Sequence, residues 1–286
     1  MNILQSYIEK QKLHFQSTMK IGEYVVFKPK DHYLPLLMKK HKLYDRFLPT
    51  LAKFLTTENY IIDIGANIGD TAVAMIQNCN NKYIAVEPSD KFYSFLEKNI
   101  ALLKNKDSNR TTLIKKMIGT GSFSGELTHA SGTATISINN NSTQDFVRLD
   151  NIIDENFEIE FLKVDIDGFD YDAILSSENI LKKNEPIIFW ENEIHTNDQN
   201  AGYEKMYDLL DSLGYKYLYV FDNFGNILLE ECSYSNIKNI NRYIKSAEEN
   251  GGTKTIYYTD ILASTEKNIS KCRNAINFYK ENFINK

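Results

Sequence analysis

An α/β fold on a mostly parallel sheet is predicted by three observations. Short apolar runs alternate with helix-length segments from Tyr60 onward. Two of these runs end in a carboxylate followed by a turn residue and a helix-like stretch, Asp63-Ile64-Gly65 and Glu87-Pro88. The length of 286 residues, with 42% hydrophobic and 25% charged residues, allows one large core with a modest extension.

Residues 1–58 read as an N-terminal extension on the acceptor side. They hold a helical start, a β pair (His14 to Thr18, Tyr24 to Lys28) and a helical run from Leu34 to Leu55. Leu36, Leu37, Leu43, Phe47, Leu48, Leu51 and Phe54 recur there at helical spacing, with Pro49 as the expected break. Residues 59–286 read as the main domain. Its strands are expected at Tyr60–Ile64, Tyr83–Glu87, Thr112–Ile118, Phe161–Ile166, Pro186–Glu191, Tyr215–Phe221 and Thr255–Ala263. Helices fall at Asp70–Gln77, Ser89–Leu103, after Asp170, at Tyr203–Leu213 and at Glu266–Phe283. Gly119–Thr143, rich in Gly, Ser, Thr and Asn, reads as a β hairpin or loop, and 223–243 as a turn followed by a helix.

The formal charge of -5 and the lack of a basic stripe argue against a nucleic-acid partner. Three cysteines, scattered and outside any CxxC pair, suit a reducing compartment and give no zinc site. The polar Met1 to Lys12 lacks a signal-peptide core, and no apolar run is long enough to span a bilayer. A cytoplasmic protein without an integral membrane segment is expected; oligomeric state is open.

The strongest motif is Asp63-Ile64-Gly65-Ala66-Asn67-Ile68-Gly69-Asp70. A buried strand stops, turns through glycine and enters a helix, at the sheet edge where ligands bind. A carboxylate there suits a ligand bearing an amino group and opposes a pyrophosphate. Asn67 stands where a dinucleotide fingerprint needs glycine. S-adenosylmethionine (SAM) is therefore the expected cofactor, held by Asp63, Gly65, Ala66, Asn67, Gly69, Glu87 and Pro88. Glu87, ending the second strand, can accept both hydrogen bonds of a ribose diol; the bland alternative is that it caps the next helix. A third signal joins Leu149-Asp150 to the strand Phe161-Leu162-Lys163-Val164-Asp165-Ile166-Asp167-Gly168, with Asp170 as the N-cap of the next helix.

Across about residues 42–193 these motifs resemble the FkbM family of methyltransferases, which shows an aspartate before Gly-Ala-Asn-x-Gly, a Glu-Pro pair, a Leu-Asp pair and Lys-Ile-Asp-x-Glu-Gly. Asp167 stands where the family usually has glutamate. The resemblance implies a Rossmann-like class I methyltransferase fold with seven strands and helices on both faces. It also implies O-methylation of a sugar or other natural-product hydroxyl, so the acceptor is expected to be a glycan or small molecule.

Methyl transfer needs positioning and, for a hydroxyl, a base. Asp165 is the first catalytic candidate, and Glu191 and His195 follow the fifth strand. Asp165, Asp167, Glu191 and His195 could together ligate a divalent ion, although no metal is expected. Tyr33, Tyr44, Phe47 and Trp190 are candidates for an acceptor cleft. An N-methyltransferase acting on an amino acid or amino sugar, and a non-catalytic SAM-binding protein, are the alternatives.

Overall fold

The computed structural model describes residues 17–55, 58–121, 125–130, 133–138, 146–249, 251 and 255–285. The expected helical start and His14–Gln16 of the first β pair lie outside the described residues. The chain begins with an antiparallel pair, β1 (Thr18–Ile21) and β2 (Tyr24–Phe27), then α1 (Leu34–Lys40) and α2 (Phe47–Ala52). There follow β3 (Tyr60–Ile64), α3 (Asp70–Ile76), β4 (Lys82–Val86), α4 (Asp90–Ala101), α5 (Asn105–Ser108) and β5 (Thr111–Ile114). A separate hairpin, β6 (Gly125–Ala130) and β7 (Thr133–Ile138), precedes α6 (Leu149–Ile152) and β8 (Ile159–Val164). Then come α7 (Asp170–Leu175), α8 (Glu178–Asn184), β9 (Ile187–Asn192) and α9 (Asn197–Ser212). The last elements are β10 (Tyr217–Asp222), β11 (Ile227–Cys232), α10 (Tyr234–Glu249), β12 (Thr259–Ser264) and α11 (Ile269–Tyr279), which runs on into a π-helical turn at Lys280–Ile284.

The main sheet has eight strands in the order β11-β10-β12-β9-β8-β3-β4-β5. The run from β9 to β5 is parallel, whereas β12, β10 and β11 pair antiparallel. The expected seven-stranded arrangement is present, with β11 added at one edge. Residues 227–232 lack a two-residue alternation because register shifts interrupt the β10–β11 pairing, so they do not read as a strand. The third expected strand stops at Ile114, since β4 offers its last partner there, Val86 to Ile114.

Side-chain alternation splits the core between the two faces. Ile61, Phe161, Phe189, Phe221 and Leu262 pack with α2, α3, α4 and α11. Ile62, Leu162, Trp190, Val220 and Ile261 pack with α7, α8, α9 and α10. Among the described residues, no helix is long and apolar enough to cross a membrane.

The helical run of the extension breaks earlier than Pro49. It is interrupted between α1 and α2, where Asp45 takes a left-handed φ of 56°. Pro49 sits in the first turn of α2, where its missing N–H breaks no helical bond.

Candidate active site

A cavity of about 360 Å³ opens at the carboxyl ends of β3, β4, β8 and β9, beside the reversal of strand order between β3 and β8. Gly65, Ala66 and Asn67 line it, and Glu87 and Pro88 border them. Gly65 has φ +79°, and a Cβ there would lie 1.8 Å from the Asp165 carbonyl oxygen. The turn therefore needs glycine to let two strand ends pass, quite apart from any ligand. Asn67 takes a left-handed φ of 50°, which asparagine tolerates. Gly69 is the left-handed N-cap of α3 and lies outside the lining.

Glu87 is buried, with 4% of its surface exposed. Its Oε2 accepts the Asn67 N–H and its Oε1 the Ser89 N–H, both at 2.9 Å. The helix-capping role belongs to Ser89, whose hydroxyl accepts from the Phe92 N–H. Burial pushes the Glu87 carboxyl up to about 7 against the pull of those two amides.

Asp63 is fully buried and does not line the cavity. Its Oδ2 accepts from the Tyr83 hydroxyl at 2.9 Å, and its Oδ1 pairs with Lys163 Nζ at 3.0 Å. Lys163 does line the cavity, as does Asp165, whose side chain is 49% exposed and so open to a bound molecule.

The opposite wall is acidic. Glu191 and Glu193 at the end of β9, Asp260 on β12, Asp167 and Asp45 all line the cavity. Asp260 is the cross-strand partner of Glu191. Burial, then the charges of Asp165 and Glu193, raises the Glu191 carboxyl well above the ordinary range. Asp170 is buried and accepts from the N–H groups of Ile166 and Glu191, tying the ends of β8 and β9 together. It is the first residue of α7, not the N-cap expected from sequence. Asp167, Glu191 and Glu193 bring carboxylate oxygens within 4.8 Å of one another, close enough to share a cation. Asp165 and His195 are not part of that group.

His195 lies outside the cavity lining, with its side chain 57% exposed and Nε2 3.2 Å from Glu193 Oε2. Tyr33, Tyr44 and Phe47 line the cavity. Trp190 does not: alternation along β9 sends Phe189 and Glu191 to the cavity face and buries Trp190 in the opposite core, which corrects its expected place in an acceptor cleft.

A family model described as the methyltransferase FkbM domain matches residues 63–217. The chain belongs to this family.

The FkbM-family chain also matches solved structures of low identity. A methyltransferase FkbM from Methylobacillus flagellatus KT is 14% identical with a TM-score of 0.47, over 91% of this chain. This chain spans 59% of that protein's length. An O-methyltransferase from Bacillus cereus, in complex with SAH, is 15% identical with a TM-score of 0.44, over 82% of this chain and 88% of its own. A SAM-dependent O-methyltransferase from Thermotoga maritima is 12% identical with a TM-score of 0.43, over 85% and 73%. No curated protein matches the chain.

Within this FkbM-family site, sequence reasoning overlooked Lys163, Asp45, Asp260 and Tyr258, all in the lining. Lys163 stands inside the apolar run Phe161-Leu162-Lys163-Val164, and a lysine within a buried strand was its signal in the sequence. Asp45 and Asp260 carry no local pattern; the break between α1 and α2 and the register of β12 against β9 bring them in.

Proposed function

We propose that the chain is a SAM-dependent methyltransferase acting on a hydroxyl of a glycan or glycosylated metabolite. The observation that carries the cofactor reading is the preset Glu87 carboxylate beside Gly65–Asn67. Each oxygen takes one backbone N–H, which leaves acceptor capacity on both for a vicinal diol. A dinucleotide pyrophosphate fits less well, because α3 begins with Asp70 and the lining is rich in carboxylates. Gly65, Ala66, Asn67, Glu87 and Pro88 would hold the cofactor, and Gly69 would shape the turn. Bound there, SAM supplies a methyl group already activated on a sulfonium.

The residues of the chain then have to orient an acceptor and take its proton. Asp165 reaches the cavity and is steadied by Lys163 at 3.3 Å, so it is the proposed base. Glu191, whose carboxyl burial raises well above the ordinary range, would hydrogen-bond the acceptor oxygen. His195 lies outside the lining but 3.2 Å behind Glu193, so its part would be played through that carboxylate and not by contact with the acceptor. Tyr44 and Phe47 offer aromatic surface for the apolar face of a sugar ring. The extension at 1–58 is proposed as the acceptor side, since it supplies α1, α2 and the segment between them.

A second reading rests on the number of carboxyl groups in the lining. Asp45, Asp165, Asp167, Glu191, Glu193 and Asp260 line one cavity in which Lys163 is the only lysine or arginine among the described residues. Burial holds the protons of Glu191 and Asp260, and an ammonium beside them would favour their ionised forms, so the lining suits an acceptor bearing an amino group, methylated on nitrogen or on a neighbouring hydroxyl.

Calorimetric titration with SAM, S-adenosylhomocysteine (SAH) and NAD tests the cofactor. Micromolar binding of SAM and SAH with none of NAD is expected; NAD binding alone would overturn the assignment. A panel of neutral sugars, amino sugars and their N-acetyl forms then separates the readings. Transfer to neutral sugars supports the first, and transfer only to free amines supports the second.

A further inference from the structure

Neither wall of the cavity by itself explains a lysine buried at its floor. Lys163 leaves only 4% of its side chain exposed. Its Nζ lies 3.0 Å from Asp63 Oδ1 and 3.3 Å from Asp165 Oδ2, and donates to the Gly65 carbonyl at 3.3 Å. Burial alone would favour the neutral amine, but the carboxylates of Asp63 and Asp165 keep the ammonium charged. On the far side, Tyr83 donates to Asp63 Oδ2, while Oδ1 meets the Lys163 ammonium as an ion pair without a well-aligned hydrogen bond, and Asp63 does not line the cavity. The two strand ends are also in register here: Asp165 N–H donates to the Ile64 carbonyl at 3.0 Å. One ammonium therefore ties a buried carboxylate of β3, the carbonyl of the glycine turn and the exposed carboxylate after β8.

We infer that Lys163 is a positioning residue that couples the glycine turn to Asp165, and that Asp63 serves the site through Lys163 without touching the bound molecule. This rests on the reading of the cavity as a SAM site. It departs from the simplest use of the motif, in which the aspartate pairs directly with the cofactor's amino group. That use would require Asp63 to give up Lys163 and leave a buried ammonium short of a partner.

The two roles differ in which part of the ligand they sense. SAH carries the amino-acid portion; 5′-methylthioadenosine has the same nucleoside and thioether without it. Dissociation constants for both are measured on wild type, Asp63→Asn, Lys163→Met and Lys163→Arg, alongside melting temperatures. Asp63→Asn and Lys163→Met should each weaken both ligands by a similar factor, about tenfold or more. Lys163→Arg, which keeps the charge, should bind more tightly than Lys163→Met. A loss confined to SAH in Asp63→Asn, with methylthioadenosine unaffected, would show direct contact and overturn the inference. Unchanged affinity for both ligands in folded Lys163→Met, or no recovery in Lys163→Arg, would also overturn it. Should a single variant fail to fold, Asp63→Asn/Lys163→Met removes the pair together and leaves no lone buried charge. In that variant, equal loss of both ligands supports the inference and SAH-selective loss refutes it. If wild type binds neither ligand, the cofactor reading itself falls, an outcome distinct from all of these.

Discussion

Glu87 shows how burial and backbone geometry set the chemistry of one side chain. Its carboxyl is pushed up to about 7 from the ordinary 4.5, so the folded chain holds this proton more tightly than the unfolded chain between those values. Glu87 therefore contributes stability below about pH 4.5 that is lost as pH rises through 7. A ribose diol prefers the ionised form, which accepts without donating. SAH affinity is accordingly expected to rise between about pH 6 and pH 8, by up to about tenfold per unit below 7. Glu87→Gln should weaken SAH binding by about 1.5–3 kcal/mol at pH 8 and flatten that dependence; calorimetry across the pH range checks both. A mutant as pH-sensitive as wild type would place the titrating group elsewhere. At this scale Gly65 and Glu87 were legible, because a strand, an acid and a tight turn are consecutive in sequence. The engagement of Asp63 by Lys163 was not, since their pairing depends on β3 lying beside β8.

Among the elements, the Leu149-Asp150 pair proves to cap a helix, through Asp150. The Asp150 carboxylate accepts the N–H groups of Asn179 and Ile180 at 3.1 Å each, at the start of α8, with Arg148 beside it at 3.5 Å. Asp150→Ala should lower stability by about 1–2 kcal/mol while leaving SAH affinity unchanged, read by denaturant midpoint and calorimetry. Loss of SAH binding in the folded variant would mean that α8 influences the cavity. The start of α9 was also present in sequence, in Thr196-x-x-Gln199, which forms a reciprocal capping box seven residues before the expected Tyr203. Apolar periodicity alone placed the start late because the first turns of α9 are polar. The β11 edge and the short α1–α2 break were illegible for a related reason: bulges and a left-handed Asp45 leave no period to find.

Over the whole molecule, alternation divides the sheet into two cores and puts the cavity on the face shared by α2, α3 and α11. That organisation was readable from the order of strands and helices. The closure of the far wall was not, because it joins distant parts of the chain. Tyr279 at the end of α11 donates to the Gly225 carbonyl at 2.8 Å, and the Leu43 carbonyl lies 3.3 Å from the same hydroxyl. His41 stacks on Phe224 with ring centroids 3.7 Å apart, and Phe47 packs edge-on against Tyr279. Tyr279→Phe should cost about 1 kcal/mol through a part-buried carbonyl left short of a donor, seen as a lower midpoint of unfolding. SAH affinity should fall less than stability, since Gly65 and Glu87 sit on the other side of the cavity; an equal fall would tie this brace to the cofactor.

The Leu43–Tyr279 brace spans 236 residues of sequence. Such a contact carries a higher loop-closure cost than a local turn, which favours its formation after the local ones. During synthesis α2 can pack on α3 once both have emerged, whereas the brace on the segment between α1 and α2 waits for α11 to leave the ribosome. The segment between α1 and α2 would thus be the last part of the cavity wall to be fixed.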